Sequence, residues 1–320
     1  MRLRGSAVSA GALALLLTAC AERPSAVGRA AEPPPAPAPT PAGPSVDATA
    51  KTPLHEAAEN GDLQAVKELL RNGADIDAWA LPDGTALIGA LDNGHEDVAL
   101  VLLYAGTKLT GDELQLAARE GMMEMLSTLI QRGVDVNAET KFGSTALHTA
   151  AKFDQVDAIK VLVKAGASVD KADDDGFTPL HTAAAEGKVE AVRALLDAGA
   201  KLEAKTSSGM TVLHWAIFSN APTRIEIYPI SSTDAPYATS KVQEQAPLVE
   251  LLLARGARID TKDGEGNTPL HQAVLMTSPA SIKALLRRGA SRTVKNDDGE
   301  TPLDIAVRRG DDDFIPLLKK

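Results

Sequence analysis

Apolar residues recur along this chain at intervals of three and four, in pairs of short segments that each end near a glycine. In the first pair, two alanines precede Gly61, and a run of leucines with a valine precedes Gly73. Such intervals place side chains on one face of an α-helix, and glycine readily adopts the left-handed conformation that ends a helix. The pattern therefore predicts pairs of short helices. Each pair is apolar on both flanks, so stacking against neighbouring pairs must bury it.

The helix pairs repeat with a fixed interval. A threonine opens seven of them, at Thr52, Thr85, Thr145, Thr178, Thr211, Thr268 and Thr301. The intervals between these threonines are 33, 60, 33, 33, 57 and 33 residues. Thr-Pro-Leu-His stands complete at 52–55, 178–181 and 268–271, and the copies at 145–148, 211–214 and 301–304 each differ at one position. A period of this length is typical of a repeat array in which each unit contacts only its neighbours.

The 33-residue period and the Thr-Pro-Leu-His-x-Ala core resemble the ankyrin repeat, and the resemblance covers the chain from about Thr52 to the C-terminus. It implies an all-α solenoid of about eight helix-turn-helix units joined by short β-hairpin-like turns. The repeat domain would occupy 51–320. Its units would lie near 51–83, 84–111, 112–143, 144–176, 177–209, 210–266, 267–299 and 300–320. Asp-Gly dipeptides mark the expected turn tips.

Three of these units depart from the pattern. The unit at 112–143 lacks the threonine motif and follows a shortened turn, and the unit at 300–320 has Asp304 where histidine is expected. That exchange suits a terminal unit with one polar face. The unit at 210–266 carries an insertion, 221–245, between its two predicted helices. Because the insertion mixes prolines with isoleucines and tyrosines, it is interpreted either as a functional lip beside a bound partner or as a tolerated excursion.

The first fifty residues predict targeting and tethering. Arg2 and Arg4 precede an apolar stretch that is too short to span a bilayer as a helix. The stretch ends in Leu-Thr-Ala-Cys, which resembles a bacterial lipobox. Residues 1–19 are therefore interpreted as a lipoprotein signal peptide and Cys20 as the lipidated residue. The alternative is an ordinary secretory signal with an incidental cysteine. Residues 20–50 are rich in proline and alanine and predict a disordered tether.

Charge and side-chain chemistry exclude several functions. The net charge of −10 disfavours nucleic acid and anionic lipid headgroups as partners. Five of the six histidines occupy one repeat slot, where the family resemblance implies a hydrogen bond to the neighbouring turn. The one cysteine is assigned to the anchor, and the sequence has neither a nucleophile elbow nor a phosphate-binding loop. We therefore predict that the protein is not an enzyme and uses neither a cofactor nor a metal.

Aromatic residues make up only 3% of the chain, and most of them fall outside the predicted core. The ankyrin resemblance implies a concave groove formed by hairpin tips and by exposed positions of the first helices. Aromatic side chains are common anchors of protein interfaces. The predicted partner-binding residues are Trp79, Phe142, Phe153, Asp174, Phe177, Glu186, Met210, Trp215, Phe218, Tyr228 and Tyr237. The alternative for each phenylalanine is packing on the adjacent hairpin without meeting a partner.

Together these features predict a monomeric, membrane-tethered scaffold that binds a protein partner through its concave face. The lipid anchor would be its only contact with the membrane, and the predicted location is the periplasmic face of a bacterial outer membrane. An acidic rim would select a basic or polar partner. The alternative function is that of an inhibitor or immunity protein that blocks a periplasmic enzyme or toxin.

Overall fold

The computed structural model describes residues 50–81, 84–219 and 246–319. Within these residues lie sixteen helices and three isolated β-bridges, with no extended strand. In chain order the helices are α1 (Pro53–Glu59), α2 (Leu63–Arg71), α3 (Ala86–Asp92), α4 (Glu96–Tyr104), α5 (Glu113–Glu120), α6 (Met123–Gln131), α7 (Ala146–Lys152), α8 (Val156–Lys164), α9 (Pro179–Ala185), α10 (Val189–Asp197), α11 (Val212–Ser219), α12 (Pro247–Ala254), α13 (Pro269–Leu275), α14 (Pro279–Arg287), α15 (Pro302–Arg309) and α16 (Ile315–Leu318). Each predicted unit holds one helix pair, and the predicted all-α solenoid is confirmed.

The helices form two layers. Each odd-numbered helix packs against the next odd-numbered helix and against the even-numbered helix that follows it in the chain. The even-numbered helices pack on one another from α2 to α10 and again from α12 to α14. We call the odd-numbered layer the first-helix layer and the even-numbered layer the second-helix layer. Because every contact joins neighbouring units, the core is a continuous strip between the two layers.

Small and large apolar residues occupy different positions in the core. Alanines such as Ala58, Ala151 and Ala184 are fully buried in the first-helix layer, where a small side chain lets adjacent helices approach closely. Leucines such as Leu147 and Leu180 are equally buried and fill the space between the layers. Burying one such leucine contributes about 1.5–3 kcal/mol relative to leaving it exposed. The repetition of these positions, unit after unit, supplies the stability that no single pair could supply.

The unit at 112–143 begins without the threonine motif because Glu113 takes over its role. The Glu113 carboxylate is buried and accepts hydrogen bonds from the backbone and hydroxyl of Thr110, at 2.7 and 2.9 Å, and from the backbone of Gly111 at 2.9 Å. This side chain closes a short turn at the place where other units have a projecting hairpin. The predicted shortening of the turn therefore has a specific cause.

The insertion leaves the fold around it intact. The chain departs after α11 and returns at Ala246, just before α12, and these two helices pack together like the other pairs. Across the insertion, the Arg255 guanidinium lies 3.0 Å from the Asp197 carboxylate. The predicted insertion at 221–245 itself lies outside the described residues.

Candidate functional site

Five histidines tie each helix pair to the next turn, as the sequence predicted. In every case the backbone N–H of the preceding threonine donates to Nδ1 at 3.1–3.2 Å, and Nε2 lies 3.0–3.2 Å from a backbone carbonyl of the next turn, which belongs to the following unit for all but His181. The five are His55, His148, His181, His214 and His271. His181 differs in its acceptor, since it reaches Ala204 and not the residue directly before the next threonine.

This geometry fixes the tautomer of the five imidazoles. Nδ1 accepts a hydrogen bond from a backbone N–H, so the ring proton sits on Nε2 and is donated to the carbonyl. Burial lowers the pKa of His148, His214 and His271 below the usual value of 6.5, and it lowers the pKa of His181 to about 4. Both ring nitrogens of each histidine are occupied, so these side chains are part of the scaffold.

Asp304 keeps half of this arrangement in the last unit. Its carboxylate accepts from the backbone N–H of Thr301 at 2.9 Å and from the Thr301 hydroxyl at 2.7 Å. Both of these bonds are accepted by Oδ2. The backbone N–H of Thr301 lowers the pKa of this carboxyl below its usual value.

The hairpin tips are joined directly by backbone hydrogen bonds. The N–H of Asp174 donates to the Phe142 carbonyl at 3.2 Å, and the N–H of Ser207 donates to the Asp175 carbonyl at 3.0 Å. Two further bonds continue the series, from Gly264 to Ser208 at 2.9 Å and from Asp297 to Glu265 at 3.1 Å. We call this series the tip ladder. It holds five successive tips in a fixed register beside the first-helix layer.

A second series of contacts links the turns behind the tips, and the sequence analysis missed it. An acidic or amide side chain accepts from a backbone N–H of the next unit, as Asp77 does from Lys108 at 2.8 Å. The side chains in this series are Asp77, Asn137, Asp170, Glu203 and Asp260. Each stands four positions after the glycine that ends the second helix of its unit, and this spacing is a signal that could have revealed the series.

Three of the predicted partner-binding aromatics form one cluster across two units. The ring centroids of Phe177 and Trp215 are 4.6 Å apart, and those of Trp215 and Phe218 are 5.1 Å apart. Phe177 lies at a tip and the other two lie on α11, so the cluster joins the tip ladder to the first-helix layer. All three are half-buried, as is Met210. These aromatic side chains therefore pack on a neighbouring unit and also keep part of their surface exposed.

The indole N–H of Trp215 is buried and has no acceptor among the described residues. A buried donor without an acceptor destabilises a fold by about 1–3 kcal/mol. A buried donor without an acceptor in the fold calls for a specific explanation.

Other predicted site residues are more exposed. Phe142 at a tip is 65% exposed, Phe153 at the end of α7 is 45% exposed, and Trp79 before the Gly84 turn is 48% exposed. Asp174 and Glu186 are also exposed. Trp79 lies several units away from the cluster and does not join it. Cys20, Tyr228 and Tyr237 lie outside the described residues.

The described part of the chain holds neither a metal-binding cluster nor a membrane-spanning helix. Across 50–81, 84–219 and 246–319, no three His, Cys, Asp or Glu side chains are grouped so that they could hold a metal ion. None of the helices in this part of the chain is long and apolar enough to cross a membrane.

Comparison with known proteins identifies the family. A family model described as "Ankyrin repeats (3 copies)" matches residues 11–111, 114–206, 173–227 and 237–320. These matches cover most of the chain, and the chain belongs to the ankyrin-repeat family. Ankyrin repeats typically serve as non-enzymatic modules for protein–protein interaction.

Similar proteins share the repeats within much longer chains. The potassium channel AKT2/3 of Arabidopsis thaliana is 31% identical over 30% of this chain and 13% of its own length. The B-cell lymphoma 3 protein homolog of Mus musculus is 33% identical over 26% of this chain and 20% of its own. For the ankyrin repeat and KH domain-containing protein mask-1 of Caenorhabditis elegans the values are 36%, 26% and 3%. This chain thus aligns with a fifth or less of each.

Proposed function

We propose that this protein is a scaffold that binds a protein partner through the tips and first helices of the units at 144–176, 177–209 and 210–266. The observation that carries the proposal is the Phe177–Trp215–Phe218 cluster, with exposed Phe142 at an adjacent tip and exposed Phe153 at the end of α7. Aromatic residues with part of their surface accessible are the side chains that most often dominate binding energy at interfaces.

The two hydrogen-bond series make this surface rigid before a partner arrives. The tip ladder fixes the tips, and the histidines fix each tip to a first helix. A surface that is already ordered loses little conformational entropy on binding, so more of the contact energy appears as affinity.

Replacing Phe153 and Phe218 together by alanine is expected to reduce partner recovery at least tenfold. Loss of one hot-spot side chain costs about 2 kcal/mol or more, and about 1.4 kcal/mol corresponds to a factor of ten. The measurement is co-purification after mild crosslinking in the native host, quantified by mass spectrometry. Tyr104→Ala is the matched control, because Tyr104 is 63% exposed but lies on the second-helix layer. Equal recovery by the double variant and this control would contradict the proposed surface.

We also propose that Cys20 carries lipid and that the array faces the periplasm from the outer membrane. The support is the Leu-Thr-Ala-Cys sequence after a short apolar stretch, followed by a proline-rich segment. Growth with a labelled fatty acid is expected to label the wild-type chain and to leave Cys20→Ala unlabelled. Fractionation should then move the variant from the membrane to the soluble periplasm. Equal labelling of both chains would exclude Cys20 as the anchor.

A further inference from the structure

The last described unit exposes two positions that the seven units before it bury. Every first helix has a leucine as its second residue, and this leucine is at most 2% exposed in those seven units, while its counterpart Leu303 is only partly buried. The residue four positions later is fully buried in all seven units, but in the last unit it is Val307, which is 56% exposed. The seven buried residues are Ala58, Leu91, Ala118, Ala151, Ala184, Ile217 and Val274. These positions therefore face the following unit, and the last unit keeps apolar side chains at both of them.

The first unit exposes the opposite side of such a junction. Pro53 at the start of α1 is exposed. The prolines at the same position of three later units are buried, and they are Pro179, Pro269 and Pro302. A groove beside Pro53 is lined by Ala57 and Leu69, with Glu56 and Glu68 among its polar residues. This groove can accept an apolar side chain from another unit.

The two end units carry the same charge pair with opposite polarity. In the first unit the Lys51 ammonium lies 2.8 Å from the Glu59 carboxylate, and in the last unit the Arg308 guanidinium lies 2.7 Å from the Glu300 carboxylate. Lys51 and Glu300 each stand directly before the opening threonine, and Glu59 and Arg308 each stand seven positions after it. A first unit stacked on a last unit in the register of the array therefore sets opposite charges against each other.

We propose that copies of this chain associate head to tail, so that the first unit of one copy stacks on the last unit of another copy. Val307 and Leu303 of one copy cover Pro53 of the other and contact the groove beside it. The interface joins two different surfaces, so each dimer keeps one free face of each kind and can grow further. The concave aromatic surface takes no part, and the predicted monomer is replaced by an assembly whose size depends on concentration.

A junction inside the array shows that the charged positions come into contact. The Arg119 guanidinium lies 2.9 Å from the Asp92 carboxylate of the unit before it. Both residues directly follow the position that Val307 occupies in the last unit, and Glu59 and Arg308 stand at this same place. Stacking in register therefore brings Arg308 of one copy against Glu59 of the next. Because a single exposed ion pair stabilises little, the charges select the register and the apolar contact supplies affinity.

The aspartate in the last unit fits the same arrangement. Asp304 occupies the slot whose histidines in four other units reach the residue directly before the next threonine, as His148 reaches the Phe177 carbonyl at 3.0 Å. In the stacked pair that residue is Lys51 of the second copy. A carboxylate at this slot then faces a residue with an ammonium group.

The test is sedimentation velocity of the purified full chain carrying Cys20→Ala, which keeps a lipid from contributing to association. We expect the sedimentation coefficient to rise over roughly a hundredfold range of concentration. Val307→Glu places a carboxylate in the apolar contact, and Glu59→Lys sets a cation against Arg308, so each is expected to weaken association about tenfold or more. Tyr104→Glu is the matched control, because Tyr104 is 63% exposed on the second-helix layer, away from both ends. Circular dichroism establishes that all variants are folded.

Mixing the two end variants tests the head-to-tail arrangement. Val307→Glu leaves the face of the first unit intact, and Glu59→Lys leaves the face of the last unit intact. Each variant alone is expected to stay monomeric, whereas an equimolar mixture is expected to form dimers that grow no further. An interface between two identical faces would not give this result.

Three outcomes would overturn the inference. A wild-type chain that stays monomeric over the whole range of concentration would show that the ends do not associate. Association that Val307→Glu and Tyr104→Glu weaken equally would place the contact elsewhere. Loss of association in Val307→Glu alone, with no dimer in the mixture, would indicate that two last units meet each other. None of these results bears on partner recovery through the aromatic surface, so the proposed function is tested separately.

Discussion

Lowering the pH from about 7 to about 5 is expected to destabilise the array by at least about 2 kcal/mol. The cause is the set of buried histidines that join each unit to the next. Burial lowers the pKa of His181 from 6.5 to about 4 and lowers those of His148, His214 and His271 in the same direction. The unfolded chain therefore binds protons in this range that the folded chain does not bind, so the free energy of unfolding falls as the pH falls.

The direction of the stability change and the pH window in which it occurs follow from these pKa shifts. The stability that the neutral histidines provide is complete above about pH 6.5 and is lost as the pH falls towards 4. His181 alone would account for about 2 kcal/mol at pH 5. The carboxyls of Asp77 and Asp304, whose pKa values are lowered by backbone N–H donors, act in the same direction only below about pH 4. They do not contribute in the window that is tested.

The measurement is the urea midpoint of unfolding, followed by circular dichroism at several pH values. His181→Gln removes the histidine whose pKa is lowered to about 4 and is expected to flatten the pH dependence while lowering stability at neutral pH. If the midpoints of wild type and His181→Gln changed in parallel between pH 7 and pH 5, the histidines would not be the cause. Coincidence of the transition at several wavelengths should accompany the analysis, because repeat arrays can unfold in parts.

Substituting alanine for Gly176 is expected to destabilise the protein by about 3 kcal/mol. Gly176 has a φ of +80°, and a Cβ at this position would lie 2.6 Å from the backbone nitrogen of Ser207. That nitrogen donates to Asp175 in the tip ladder. The substitution therefore combines a left-handed conformation, which costs roughly 1–2 kcal/mol for alanine, with loss of a backbone hydrogen bond worth about 1 kcal/mol.

Gly199→Ala separates these two contributions. Gly199 has a φ of +91°, but a Cβ there meets no atom within 4 Å. This variant is expected to lose only the conformational part, about 1–2 kcal/mol. Amide hydrogen exchange provides a local readout, since exchange of the Ser207 amide should accelerate in Gly176→Ala much more than in Gly199→Ala. Equal effects of the two substitutions on stability and on exchange would show that the tip ladder contributes little.

The sequence predicted those parts of the fold that depend on side-chain type. Threonine, proline and paired leucines mark helix starts, turns and the core, so the helix pairs could be predicted from the residues, while the histidine bonds followed from the ankyrin resemblance. The tip ladder could not, because it joins backbone atoms and leaves no residue signature apart from glycine. The series that includes Asp77 and Asp170 was also missed, since an acidic residue in a turn is usually explained by solvation.

The positions of the candidate-site residues could be predicted from the sequence, but the contacts between them could not. The repeat register places Phe177 at a tip and Trp215 and Phe218 on a first helix, and that placement followed from spacing alone. Their stacking depends on the stagger between adjacent units, which the sequence does not encode in any single residue.

The position of the insertion defines where this protein can change in length. The chain leaves after Ser219 and returns at Ala246, while His214 still bonds to the Asn267 carbonyl and the tip at Ser208 still bonds to Gly264. Both hydrogen-bond series join described residues on either side of this interval. The interval between α11 and α12 is therefore the place where added sequence, such as a reporter domain, leaves the bonds between successive units in place.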